Sequence, residues 1–237
     1  MQPLTDSEIL VLWERGARRH PLDRALLTLH AALAQTAGET LADWPLGRRN
    51  HALIELHCAC FGTQLQGWLA CEDCHEKLEF TLDGRALAQA GRDWRGGAPT
   101  EIAVGARTFR LPTSRDLAHV ADAADSLDAA RQLLDRCCVE PAASAAWSDA
   151  ELDEIGDRMA QADPLAETQL ALHCPACGAD WHETFDIAAF LWTQIEARAK
   201  RLLWAIHALA RAYGWSEAAI LSLDENRRAF YLKMVRS

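Results

Sequence analysis

No stretch of this chain approaches the roughly 18 consecutive apolar residues that a membrane-spanning helix needs. The opening residues, Met1 to Glu8, carry acid where a secretory leader carries base. Together these absences predict a cytoplasmic protein with no membrane partner. Positive charge is scarce as well: 24 Lys and Arg stand against 34 Asp and Glu, a formal net charge of -10. Such a field repels a phosphate backbone, so nucleic acid is a disfavoured partner. Catalytic signatures are missing too, with no His-Glu-x-x-His, no Gly-x-Ser-x-Gly and no phosphate-binding loop. His20, His30, His51, His57, His119 and His207 have no nucleophile or carboxylate at a telling spacing. The expectation is a protein that is not an enzyme.

What is present is a chain of 237 residues, 50% hydrophobic, long enough to bury a substantial core. It also has eight cysteines, and four of them form Cys-x-x-Cys pairs, Cys71/Cys74 and Cys174/Cys177. Each pair lies between two runs that alternate like strands: 64–70 and 77–82 around the first, 168–173 and 181–185 around the second. In a cytoplasmic chain such pairs read as metal ligands before they read as disulfides. Four thiolates at tetrahedral corners match structural Zn2+, with no open position for water. The usual separation between two pairs is about 15 to 20 residues. Here it is about 100, so a hairpin and helices must be inserted between the halves of one split ribbon. The competing readings are buried thiols or two separate redox motifs. His75, His173 or His182 could also replace a cysteine in the ligand set. Cys58, Cys60, Cys137 and Cys138 have no comparable spacing and read as core thiols.

Helical signals surround the ribbon. Thr5-x-x-Glu8 forms a capping box for a helix over about 6–18, and Pro21 starts a second running to about Ala37. A third follows Arg48-Arg49-Asn50 and ends at Gly62. A Gly-rich loop over 91–99 precedes a hairpin formed by Ile102–Val104 and Thr108–Leu111. Helices are expected over 116–138 and 149–162. Asp186 caps the longest helix, which runs to Gly214, and short helices start at Ser216 and Asp224. The predicted fold class is therefore α+β, mainly α, with one integrated domain of three parts. These are a helical part over 1–63, the split ribbon with its insertion (about 101–162) over 64–185, and a helical part over 186–237.

Nine tryptophans are many for this length. Core packing explains most of them. An aromatic among Trp192, Trp204 and Trp215 left exposed beside Arg198, Arg201 or Arg211 would suit a protein partner.

Several stretches together carry a resemblance: Leu10 to Trp13 with His20 to Leu27; Leu46-Gly47-Arg48-Arg49; Phe61-Gly62; the two cysteine knuckles; Arg110 to Leu117; and Tyr213 to Glu217 with Arg227-Arg228 and Tyr231-Leu232. The chain resembles, over nearly its whole length, bacterial members of the T-even phage baseplate protein family, which accompany phage-tail-like contractile injection systems. The resemblance implies a baseplate hub component or a chaperone-like assembly factor, with other baseplate or tail proteins as partners and no catalytic residues. The alternative from the knuckles alone is a zinc-ribbon nucleic-acid-binding or regulatory protein.

Overall fold

The computed structural model describes residues 1–33, 40–91, 101–139 and 147–236. The chain is 59% helical, with 17% in three separate two-stranded antiparallel sheets, so helix packing rather than a sheet forms the core and the fold is α+β, mainly α. The elements in order are α1 (Asp6–Gly16), α2 (Pro21–Ala32), a 3-10 turn (Leu41–Asp43), α3 (Leu46–Phe61), β1 (Gln64–Ala70), β2 (Lys77–Asp83) and α4 (Gly84–Ala90). Then come β3 (Glu101–Val104), β4 (Arg107–Arg110), α5 (Ser114–Val120), α6 (Ser126–Cys137), α7 (Asp149–Ala162), β5 (Thr168–His173) and β6 (Asp180–Phe185). The chain closes with α8 (Ile187–Tyr213), α9 (Glu217–Leu221) and α10 (Glu225–Arg236).

Local chemistry sets the helix starts. The Thr5 hydroxyl accepts from the Glu8 amide and the Glu8 carboxylate accepts from the Thr5 amide, which closes the capping box of α1. Asp186 accepts from the amides of Ala188 and Ala189 at the start of α8, and Gly214, at φ 67°, ends that helix in a left-handed turn. Helix α8 packs along α1, α2 and α3. Ile9, Leu29, Leu53, Leu56 and Ile195 meet there with no exposed surface. The insertion has its own smaller core of Phe109, Leu134, Cys137, Trp147, Ile155 and Met159.

Several boundaries differ from the sequence expectation. The single helix expected over 116–138 is two, because Thr113 and Asp116 close a capping box for α5, and Asp125 caps α6 through the Asp128 amide. Helix α4 was not expected; Asp83 caps it, accepting from the amides of Arg85 and Ala86. Helix α3 starts at Leu46 rather than after Asn50, with Pro45 at its cap position. The expected ends of the second helix, toward Ala37, and of the loop beyond Gly91 lie outside the described residues.

Three joints built on carboxylates hold the helices in place. In the first, Asp6 Oδ1 accepts from Arg198 Nε at 3.0 Å and Nη2 at 2.8 Å, and its Oδ2 accepts from Arg228 Nη2 at 2.5 Å. This ties α1 to α8 and α10. Burial would raise the Asp6 carboxyl, but the hydrogen bonds from Arg228 and Arg198 hold it below the usual range. In the second, Asp116, 1% exposed, accepts from Arg110 Nη1 and Nη2 at 2.6 and 2.8 Å and from Arg136 Nε at 3.0 Å. In the third, Asp163 Oδ2 accepts from the Gly47 amide at 2.8 Å, while Arg49 donates to Ser114 Oγ and Asn50 Oδ1. Only glycine fits at position 47, since a β-carbon there would fall 1.6 Å from Asp163 Oδ1.

Two predictions follow from these joints. Asp6→Ala leaves Arg228, 5% exposed, buried without its carboxylate, and should destabilise the protein by about 3 kcal/mol. The denaturant midpoint should fall at an unchanged m value; an unaltered midpoint would refute the role. Asp163 behaves in the opposite sense. Burial lifts its carboxyl to about 6, against the pull of the Gly47 and Ala166 amides and the Arg49 charge. A raised folded-state value means that its contribution is whole below about pH 4 and is lost as pH rises through about 6. Asp163→Asn cannot ionise, so relative to wild type it should gain about 2–3 kcal/mol between pH 4 and pH 7.5. Denaturation of the pair at both pH values measures this, and an equal difference at both would count against it.

Candidate metal centre

Each half of the centre is a strand, a six-residue knuckle and a returning strand. In the first, Ala70 pairs with Lys77 across residues 71–76; in the second, His173 pairs with Asp180 across 174–179. The two turns share one hydrogen-bond pattern. The Cys71 amide donates to the Glu76 carbonyl and the His75 amide to the Cys71 carbonyl, at 2.9 and 3.0 Å. The Cys174 amide donates to Ala179 and the Gly178 amide to Cys174, both at 2.8 Å. The residue after the second cysteine is left-handed in both, His75 at φ 60° and Gly178 at φ 79°. Two equivalent turns from distant parts of the chain thus face each other.

Their sulfurs converge. Cys71 Sγ lies 3.7 Å from Cys177 Sγ, Cys74 Sγ lies 3.6 Å from Cys174 Sγ, and all four ligand atoms are within 4.8 Å of one another. A tetrahedron with metal–sulfur bonds of about 2.3 Å has edges of roughly 3.8 Å. The two short distances are close to that edge and far beyond a disulfide bond of about 2.05 Å. Cys71 and Cys174 are buried, and Cys74 and Cys177 face solvent. The sulfurs do not titrate alike. Amide donation from Cys177 and Ala176 brings Cys174 down to about 7. The Ala179 amide draws Cys177 down, but burial and the neighbouring Cys174, Cys74 and Cys71 sulfurs push it up to about 12. Four thiolates in this space therefore need a cation to balance them. The set is compatible with a structural metal ion, and four sulfurs complete a tetrahedral shell. His75, His173 and His182 are not part of the cluster.

The centre stands in for a core. Of the ribbon's strand residues only Leu65 is fully buried, and isolated two-stranded sheets are marginal by themselves. A row of rings joins the ribbon to the helices. Phe80 meets Phe185 edge-on at 6.0 Å, Phe185 meets Phe190 at 5.4 Å, and Phe190 meets His57 at 5.4 Å. The ribbon surface is acidic, with Glu72, Asp73, Glu76, Glu79, Asp83, Asp180 and Glu183 against Lys77 alone, which is the wrong sign for a nucleic-acid face.

The other sequence candidates fall elsewhere. Burial raises the thiols of Cys58 and Cys60, and takes Cys137 up to about 12, so these three are poor nucleophiles. Trp192 is in the core against Gly16, with Arg24 over its ring. Trp215 is half-buried, stacked on Tyr213 at 4.8 Å and edge-on to Tyr231 at 4.9 Å. Arg198 is engaged by Asp6, whereas Trp204, Arg201 and Arg211 are exposed. Leu203 and Trp204 on α8 and Phe230 on α10 are exposed; Leu203 and Phe230 were not among the residues expected at a partner surface. Among the described residues no helix is long and apolar enough to cross a membrane.

These features define a class: a mainly helical protein with a closed, four-sulfur centre joining two halves of a ribbon. Set against protein-family models, curated proteins and solved structures, the chain has no match in any of the three.

The strained turn offers a test. A non-glycine residue in the left-handed region costs about 1–2 kcal/mol. His75→Gly should therefore keep the metal and stabilise the metal-loaded protein by about 1 kcal/mol, and Gly178→Ala should destabilise it by a similar amount. Thermal melting with metal content measured on the same samples checks both; loss of metal in His75→Gly would make His75 a ligand after all.

Proposed function

We propose that this protein is a non-enzymatic, zinc-stabilised baseplate or baseplate-assembly protein of a phage-tail-like contractile system, working by offering its C-terminal helices to another protein. The observation that carries the reading is the closed set of four sulfurs, Cys71, Cys74, Cys174 and Cys177. A shell completed by protein leaves the ion no position for substrate, so it acts as a staple. Zinc is the ion of choice for such a tetrahedral thiolate set, with iron the alternative that the same geometry admits.

The residues behind the family resemblance support the same view, because they build joints. Gly47 and Arg49 receive the third buried joint, Arg110, Thr113 and Asp116 make the second, and Arg228 completes the first. Tyr213, Trp215 and Tyr231 pack on one another. Motifs of this kind preserve a shape rather than a reaction. In this reading the partner surface is the exposed face of α8 and α10, which carries Leu203, Trp204, Arg201 and Arg211 on α8 and Arg227 and Phe230 on α10.

Protein purified from its native host without added metal should contain about one zinc per chain, and Cys71→Ser or Cys174→Ser should lose it together with most of the fold's stability. Mass spectrometry on proteins captured by the tagged chain should find other tail or baseplate components. Absence of zinc refutes the staple, and normal particle assembly in a deletion strain refutes the assembly role.

A further inference from the structure

Helices α6 and α7 enclose an apolar groove of about 460 Å³ where the insertion meets the main body. Leu133 and Leu134 line it from α6, and Leu152, Gly156 and Met159 from α7. A β-carbon added at Gly156 would touch nothing among the described residues. On α7 the exposed Asp149, Asp153 and Asp157 follow at every fourth residue, one position on from Leu152 and Gly156, and form an acidic rim. Asp163 and Glu167 add negative charge at one end, and the buried Arg49 lies beside them. Arg131 pairs with Asp149, at 3.3 Å.

The complementary surface is on the same chain. On α10, Arg228 faces inward to Asp6, which turns Arg227, Phe230, Lys233 and Met234 outward. Phe230 is 64% exposed and Met234 46%. Spaced four apart, these two side chains suit an apolar groove, and the flanking Arg227 and Lys233 suit its acidic rim. Charge divides the whole molecule in the same way. Residues 186–237 carry eight of the 24 Lys and Arg and five of the 34 Asp and Glu, a net +3, which leaves 16 against 29, a net -13, on residues 1–185. The Asp6 joint holds α10 on its own α8, so the groove it matches is a neighbour's.

We propose that the α6–α7 groove is the seat for α10 of a second copy of this chain. The two surfaces differ, so the contact is heterologous and propagates into a ring or a filament unless two copies exchange helices reciprocally. This rests on reading the C-terminal helices as a docking face, and it names what they dock on. One helix in one groove falls at the small end of specific interfaces, so association is weak and sensitive to salt.

Sedimentation velocity on the full, metal-loaded chain, from about 5 to 500 µM at low salt, tests it, since weak contacts of this size reveal themselves by concentration. The weight-average mass should rise with concentration and fall on adding salt. Phe230→Asp should stay monomeric with an unchanged melting temperature. A variant with Arg227→Glu and Lys233→Glu, and another with Asp153→Lys and Asp157→Lys, should each be monomeric alone and associate when mixed, because the reversed charges then match. Monomeric wild type overturns the proposal, as does association that survives Phe230→Asp or a mixture that fails to associate. Capture of tail proteins by a wild type that is monomeric throughout would leave the assembly role standing and remove only the self-association.

Discussion

Four sulfurs brought within 4.8 Å of one another are the constraint on which the rest of this structure depends. The ribbon halves are two-stranded sheets that hydrogen-bond only within themselves and bury almost nothing. Neither would persist alone in water. Joining Cys71 to Cys177 and Cys74 to Cys174 through one ion would span 106 and 100 positions and close a large loop, whose entropy cost the coordination energy would offset. The insertion with its separate core sits inside that loop. The closed loop also returns the chain, through the Phe80, Phe185 and Phe190 rings, to the place where α8 begins.

A second principle runs through the helical body. Its core is ordinary aliphatic packing, tolerant of sliding, and the buried charges supply registry. Asp6 and the Asp163–Gly47 contact join elements 222 and 116 positions apart, while Asp116 ties α5 to β4 and α6 nearby in the chain, each with short directed hydrogen bonds. Two of these acids are held below the usual range by guanidinium partners. The third has only amides and a more distant arginine and is raised. The contrast follows from what each carboxylate touches, since burial acts on all three in the same direction.

The proposed role draws on the surface. The four sulfurs would complete the shell of a tetrahedral metal ion, the thiols outside the cluster that shift do so away from thiolate, and the ribbon is acidic. What remains distinctive is polarity: an acidic body with an apolar groove, and a basic helical end with exposed aromatic side chains. In the assembly role proposed above, such a division would set partner choice and orientation through electrostatic complementarity.

The amino-acid sequence alone determined whatever is decided between near neighbours. The capping box at Thr5, the left-handed Gly214, and the strand–knuckle–strand pattern around each cysteine pair depend on residues within a few positions, and their spacing shows in the letters. Even there, α4 and the break between α5 and α6 went unread, since Asp83 and Asp125 look like any loop aspartate until their side chains are seen to cap. That two knuckles 100 residues apart share one centre was legible because thiolate chemistry wants four ligands. The partner of Asp6, 222 positions away, was not, nor was the burial of Trp192 or the groove between α6 and α7. Those were decided by tertiary structure, because a carboxylate, an indole or an apolar stripe specifies only that it must find a complement, and which complement it meets is settled by how the helices pack.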